Sequence, residues 1–276
     1  MPELPEVQII VNDLINAGLI GKAITGAKVF WKKTIALPSA EEFIQTISGQ
    51  TISNIRRRAK YIIFDFQSGL HLLIHLRMSG KLQLISPNTE PDKHEHVILH
   101  FSDKLDLRFH DTRKFGRLTL VNDPESIFGS LGPEPLDNAF TVDIFKKRIQ
   151  SKNRQLKPLL LDQTFIAGLG NIYVDEALWE AKLHPKQIAS KLSGKKLDTL
   201  YHAIRFVLQK GIDNLGTTLG KGKSNFYSAG QRRGRNAEQL NVFHRTGQTC
   251  PHCSTKIKRI VVGQRSTHIC PKCQDL

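Results

Sequence analysis

Val7, Ile10, Val11, Leu14 and Ile15 recur at three- and four-residue spacing behind Pro5, which can take the first helical position, and Gly18 stops the run. One amphipathic helix is therefore predicted at the start of the chain. From about residue 22 to residue 121 the pattern changes to short β-branched and aromatic segments divided by turn signals: 61–66, 70–75, 81–85, 96–101 and 117–121. Segments so short and so evenly spaced predict a β-sandwich carrying the helix. After Leu131-Gly-Pro-Glu-Pro-Leu136, a Pro/Gly linker, the period becomes helical over 140–151, over a segment opened by Pro158, over 171–182 and over 197–212. Near the C-terminal end, 256–262 and 267–270 read as two strands about a tight turn, with Arg265 at its tip. The pattern predicts an α+β protein in three parts: a sandwich over 1–130, a helical domain over 131–245 and a hairpin module over 246–276.

The length of 276 residues, 39% of them hydrophobic, is enough for real cores. A net charge of +15 and a pI near 9.8 favour polyanionic partners, either nucleic acid or an anionic membrane surface. The charge is uneven: residues 217–276 hold eleven Lys and Arg against two Asp and Glu. Within them the Gly/Ser/Arg-rich run 216–235 has no apolar period, so it reads as a mobile basic loop or a solvated linker. The first residues, Met1-Pro-Glu-Leu-Pro-Glu6, are acidic and unlike a secretory signal, and no stretch approaches a membrane span. A cytosolic chain is expected, in which cysteines stay reduced and serve as metal ligands.

Cys250-Pro-His-Cys253 and Cys270-Pro-Lys-Cys273 each offer two thiolates from one turn, and four thiolates close a tetrahedral zinc site. One structural zinc ion is expected, because a catalytic zinc needs an open position and so small a module needs the metal to fold. Gly168-Leu-Gly-Asn171 precedes a predicted helix: its backbone amides suit a phosphate and Asn171 can cap, although an ordinary corner between helices reads the same way.

Pro2-Glu-Leu-Pro-Glu-Val7, Arg57-Arg-Ala-Lys-Tyr61, His75-Leu-Arg-Met-Ser-Gly80, Lys93-His-Glu-His-Val97, Asp111-Thr-Arg-Lys-Phe-Gly116, Leu131-Gly-Pro-Glu-Pro135, Gly168-Leu-Gly-Asn-Ile-Tyr173 and the four-cysteine hairpin with Gln264-Arg265 stand in one order along nearly the whole chain. In this the sequence resembles the formamidopyrimidine-DNA glycosylases, a family that includes the endonuclease VIII-like enzymes. Leu4 and Met78 with the Arg113-x-Phe115 block resemble the formamidopyrimidine branch more closely.

The resemblance implies a helix-two-turn-helix DNA-binding domain, a zinc-finger hairpin and a bifunctional repair enzyme acting on double-stranded damaged DNA as a monomer, without a membrane or an obligate protein partner. It implies that Met1 is removed and that the secondary amine of Pro2 attacks the sugar C1′, expels an oxidised purine and cleaves the strand by β- and δ-elimination. An α-amine titrates near 8 where lysine titrates near 10, so it suits this task at neutral pH. Glu3 is implied as the proton shuttle, Lys60 and Arg265 as further catalytic-site residues and Glu6 as their support. Glu3 and Glu6 equally suit the dipole of any helix entrance. Met78, Arg113 and Phe115 correspond to the wedge that replaces the extruded base. His75, Lys157, Asn171 and Arg265 correspond to phosphate contacts, with His94 and Gly170 as further DNA contacts.

Thr112 and Lys114 stand where the family often has Pro and Arg. The 217–235 segment, which in many relatives closes over extruded 8-oxoguanine, has an uncommon sequence here and leaves the preferred lesion open. A zinc-ribbon DNA-binding protein without chemistry explains the charge and the hairpin but not the N-terminal Pro-Glu, and a membrane-surface or ribosome-associated basic protein explains only the charge.

Overall fold

A computed structural model describes residues 1–220 and 226–276, which form two compact units. The first unit comprises Met1–Gly129 with Asn214–Arg235, and the second comprises Ser130–Asp213 with Asn236–Leu276. Part of the expected basic loop, 221–225, lies outside the described residues. The rest of 214–235 belongs to the sandwich unit, not with the helices it follows in sequence.

In the first unit, helix α1 (Leu4–Asn16) has Glu3 as its N-cap and Glu6 closing a capping box, so Pro5 takes the second helical position and not the first. The strands are β1 (Ile24–Val29), β2 (Ile35–Leu37), β3 (Ile52–Arg58), β4 (Tyr61–Phe66), β5 (His71–His75), β6 (Gly80–Ile85), β7 (Glu95–Phe101), β8 (Leu105–Asp111) and β9 (Arg117–Val121). Two short helices, α2 (Ala40–Ile47) and α3 (Glu125–Phe128), lie among and after them. The strands form a four-stranded sheet of order β1-β7-β8-β6 and a five-stranded sheet of order β2-β9-β5-β4-β3, in which only the β2–β9 pairing is parallel. Val7, Ile10 and Leu14 of α1 enter one core with Ile62, Phe64, Leu72, Ile74, Leu82 and Phe109. Burying each such side chain contributes about 1.5–3 kcal/mol. The helix bearing Pro2 and Glu3 is thereby fixed to the sandwich.

The second unit contains α4 (Val142–Gln150), α5 (Leu156–Leu160), α6 (Asn171–Glu180) and α7 (Gly194–Asp213), followed by the hairpin of β10 (Lys258–Val262) and β11 (Arg265–Ile269). Gly263 and Gln264 both adopt positive φ, as a two-residue hairpin turn requires. Pro158 is the third residue of α5, not its first, and its ring packs so close to Gly263 that a Cβ there would lie 2.8 Å from it.

Candidate functional site

The expected site residues divide between the two units. In the sandwich unit Pro2 is buried and Glu3 and Glu6 are 2% and 1% exposed. Glu6 uses both carboxylate oxygens: Oε2 accepts the Glu3 amide at 2.8 Å and Oε1 the Thr217 amide at 2.8 Å. One side chain thus shapes the helix entrance and ties the 214–235 segment to it.

Lys60 lies in the two-residue turn between β3 and β4, which Ala59 makes possible by adopting positive φ, and it is 6% exposed. The pairing of β4 with β5 sets Tyr61 opposite His75, their rings meeting edge to face at 4.6 Å. Burial, with the charges of Arg77 and Lys60 nearby, pushes the His75 imidazole down to about 3. The ring is neutral at physiological pH, and Nδ1 accepts the Arg77 amide at 3.0 Å, which leaves the proton on Nε2. His75 is therefore poised to donate one hydrogen bond to an anion.

Met78 and Phe115 are 47% and 46% exposed, unusual for large apolar side chains, and the Arg113 guanidinium lies 4.8 Å over the Phe115 ring. Both wedge loops hang from one residue that sequence reasoning did not single out. The buried Asp111 carboxylate accepts the Ser79 hydroxyl beside Met78, the Arg113 amide at 3.1 Å and the Gly116 amide at 2.7 Å. Gly116 leaves no room for a side chain, since a Cβ would come within 2.3 Å of Phe109. Lys114 rests 4.0 Å over the Trp31 ring, which pins the same loop from its other side. His94, half-buried, faces the His110 ring at 5.6 Å, and its carbonyl accepts the Asp111 amide at 2.9 Å.

In the helical unit Gly170, not Asn171, is the N-cap of α6. Asn171 is the first helical residue, and its Nδ2 donates to the Ser266 carbonyl at 3.0 Å while its Oδ1 is buried without a hydrogen-bond partner. The loop before it is held by Gln163, which accepts the Gly168 amide at 3.0 Å and donates to the Leu169 carbonyl at 2.9 Å. Lys157, expected as a phosphate contact, lies inside the helical unit. Its ammonium is enclosed, 2.5 Å from the fully buried Asp175 carboxylate and 3.0 Å from the Ser266 carbonyl, so it braces the protein where a surface phosphate contact was expected. Asp175 also accepts the His268 amide at 2.9 Å. Lys157 and Asp175 therefore lock β11 to α6 and set the spacing between exposed Arg265 and the Gly170-Asn171 turn. Glu176, also buried, collects the amides of Asn241, Val242 and Phe243 at 2.8–2.9 Å and fixes the approach to the metal module.

The sulfur atoms of Cys250, Cys253, Cys270 and Cys273 all lie within 4.8 Å of one another, the only such cluster of metal-ligating residues among those described. A zinc ion with thiolate bonds of about 2.3 Å separates its sulfurs by roughly 3.8 Å. The Cys250–Cys273 and Cys253–Cys270 separations of 3.9 and 3.4 Å fit that shape. The four cysteines hold one structural zinc, packed with Val242, Ile257 and Trp179.

Three family models match the chain: the formamidopyrimidine-DNA glycosylase N-terminal domain over residues 1–118, the formamidopyrimidine-DNA glycosylase H2TH domain over 131–222 and the zinc finger found in FPG and IleRS over 247–276. A formamidopyrimidine-DNA glycosylase of Protochlamydia amoebophila is 51% identical over 274 residues, covering 99% of each chain. One from Herpetosiphon aurantiacus is 42% identical, covering 99% of this chain and all of the relative. Among solved structures, the Lactococcus lactis Fpg in complex with DNA containing an abasic site is 34% identical, with a TM-score of 0.91 over 99% of this chain and 100% of that one. With its sandwich, helix-two-turn-helix domain and zinc finger all matched, the chain belongs to the formamidopyrimidine-DNA glycosylase family.

Proposed function

We propose that this protein removes oxidised purines, both 8-oxoguanine and formamidopyrimidines, from duplex DNA and then nicks the strand at the site it has created. The observation that carries this reading is the pairing of Pro2 with buried Glu3 at the entrance of α1, inside a chain matched to the family from end to end. Once Met1 is removed, the Pro2 nitrogen is a secondary amine with a free electron pair. It attacks C1′, the glycosidic bond breaks with its electrons going to the base, and the proton of the Pro2 nitrogen passes to the departing base. Glu3 protonates the ring oxygen O4′, the sugar opens, and a cationic imine joins Pro2 to C1′. That iminium acidifies C2′–H, so loss of the proton expels the 3′ phosphate, and a second elimination expels the 5′ phosphate.

In this scheme Lys60 and the Nε2–H of His75 hold phosphate on the lesion side, and Met78, Arg113 and Phe115 fill the gap left by the base. Arg265, Gly170 and Asn171 grip the backbone from the helical unit, braced by Lys157 and Asp175. Zinc serves by holding the hairpin that presents Arg265 and takes no part in the chemistry. The bacterial relatives suit a cytoplasmic, monomeric enzyme that meets its substrate on the nucleoid. Among the described residues no helix is long and apolar enough to cross a membrane.

Glu3→Gln tests the division of labour. It is expected to lower excision of an intact 8-oxoguanine about 100-fold or more, as general-acid contributions do, while cleavage at a preformed abasic site falls much less. Equal losses on both substrates would remove Glu3 from base departure.

A further inference from the structure

Glu6 and Asp13 stand seven residues apart on α1, so two helical turns bring their side chains onto nearly one line of the helix. Both are buried, and both bind the 214–235 segment. Glu6 accepts the Thr217 amide at one end of it. Asp13, 6% exposed, accepts the Gly230 amide at 2.8 Å and the guanidinium of Arg232 at the other.

Between these anchors the described part of the segment is built. Ser228 and Arg232 close a turn by a 3.0 Å backbone bond, and the Arg232 amide donates to the Ser228 hydroxyl at 3.1 Å. Ala229 is fully buried in the sandwich core, its carbonyl receiving the Leu84 amide. Gln83 donates to Gln231 at 3.3 Å, and the Lys81 ammonium lies 5.3 Å from the centre of the Tyr227 ring. Residues 226–232 are thus held between α1 and β6, the strand that begins two residues after Met78. A segment with arginines at 232, 233 and 235 carries strong positive charge, and Asp13 supplies the buried anion that fixes where it lies. Asp13 in turn needs those donors, because a buried carboxylate without partners is costly.

We propose that Asp13 is a positioning residue for base excision: by holding Gly230 and Arg232 it fixes the 226–235 segment on α1, the helix that carries Glu6 and follows Glu3, and so governs how well the site accepts an extruded base. This rests on the excision reaction proposed above. A base brought to Pro2 arrives next to a segment whose root shares the Glu6 carboxylate with the Glu3 amide. An abasic sugar presents no base, so its cleavage does not depend on that segment.

The test compares full-length, zinc-loaded wild type with Asp13→Ala and Arg232→Ala on three duplexes containing 8-oxoguanine, a formamidopyrimidine or a preformed abasic site. Arg232 is half exposed and its loss leaves Asp13 the Gly230 amide as a partner, so Arg232→Ala is expected to cost the fold less than Asp13→Ala. Both variants are expected to lose about tenfold in kcat/KM on the two intact lesions, a barrier change of roughly 1.4 kcal/mol. Abasic cleavage is expected to stay within about a factor of two, well under the tenfold set by that barrier change. Trypsin is expected to cut faster after Arg233 in both. Equal losses on all three duplexes, or a lesion-to-abasic ratio unchanged in Arg232→Ala, overturns the proposal. Wild type inactive on the abasic duplex would remove the underlying reaction as well, which separates the two failures.

Discussion

His75 shows how the chemistry of one residue is set by its neighbours. Read from sequence it is a histidine that the family resemblance turns into a phosphate contact. Its place opposite Tyr61, under the field of Arg77 and Lys60, makes it a neutral donor. That state has a measurable consequence for stability. The folded ring resists protonation down to about pH 3, whereas a free histidine protonates near 6.5. Between those values the unfolded chain binds one more proton than the folded one. Stability from this residue is therefore complete above about pH 6.5 and falls as the pH drops toward 3, by up to about 1.4 kcal/mol per pH unit. Urea unfolding of wild type and His75→Gln at pH 7.5 and 5 measures it: the difference in stability between the two proteins is expected to change between the two pH values, and a constant difference would mean that the ring titrates normally. Asp111 belongs to the same scale. A carboxylate at the end of a strand carries no sequence signal that it accepts three hydrogen bonds and suspends both wedge loops.

The elements most legible in the sequence are those whose burial is periodic. The opening helix and the strands at 61–66, 71–75, 80–85, 95–101 and 117–121 appear close to where alternation and spacing place them. Strand β8 is harder to read because Asp106, Arg108 and Asp111 occupy buried positions in it, where Arg108 pairs with Glu95 at 3.0 Å. Segment 226–235 carries no period at all, and its order comes from Asp13, more than two hundred residues away in sequence. Lys157 is the same kind of case, since its partners are on α6 and β11. Removing its charge leaves Asp175 buried and uncompensated, which costs about 3–5 kcal/mol when one partner of such a pair is lost. Lys157→Met is accordingly expected to lower the stability of the zinc-loaded protein by about that much in chemical denaturation, and Lys157→Met with Asp175→Asn is expected to cost less than the sum of the single changes. A Lys157→Met protein of unchanged stability whose DNA binding had lost salt dependence would instead make Lys157 a direct phosphate contact.

At the scale of the whole molecule, the net charge of +15 and its concentration after residue 217 point to a polyanion, and the spacing of the four cysteines points to one zinc. Charge and zinc fit a plain DNA-binding protein equally well. What separates an enzyme from a binder is the first turn of α1, where Pro2 lies beside the buried Glu3, whose backbone amide donates to the Glu6 carboxylate at 2.8 Å. The most direct measurement is therefore borohydride trapping on a duplex containing 8-oxoguanine, with the attachment point mapped by mass spectrometry. Reduction during turnover is expected to give a covalent protein–DNA adduct at Pro2, with the adduct lost in protein that retains Met1. An adduct mapped to Lys60 would replace the nucleophile, and tight binding with intact strands and no adduct would contradict the catalytic account altogether.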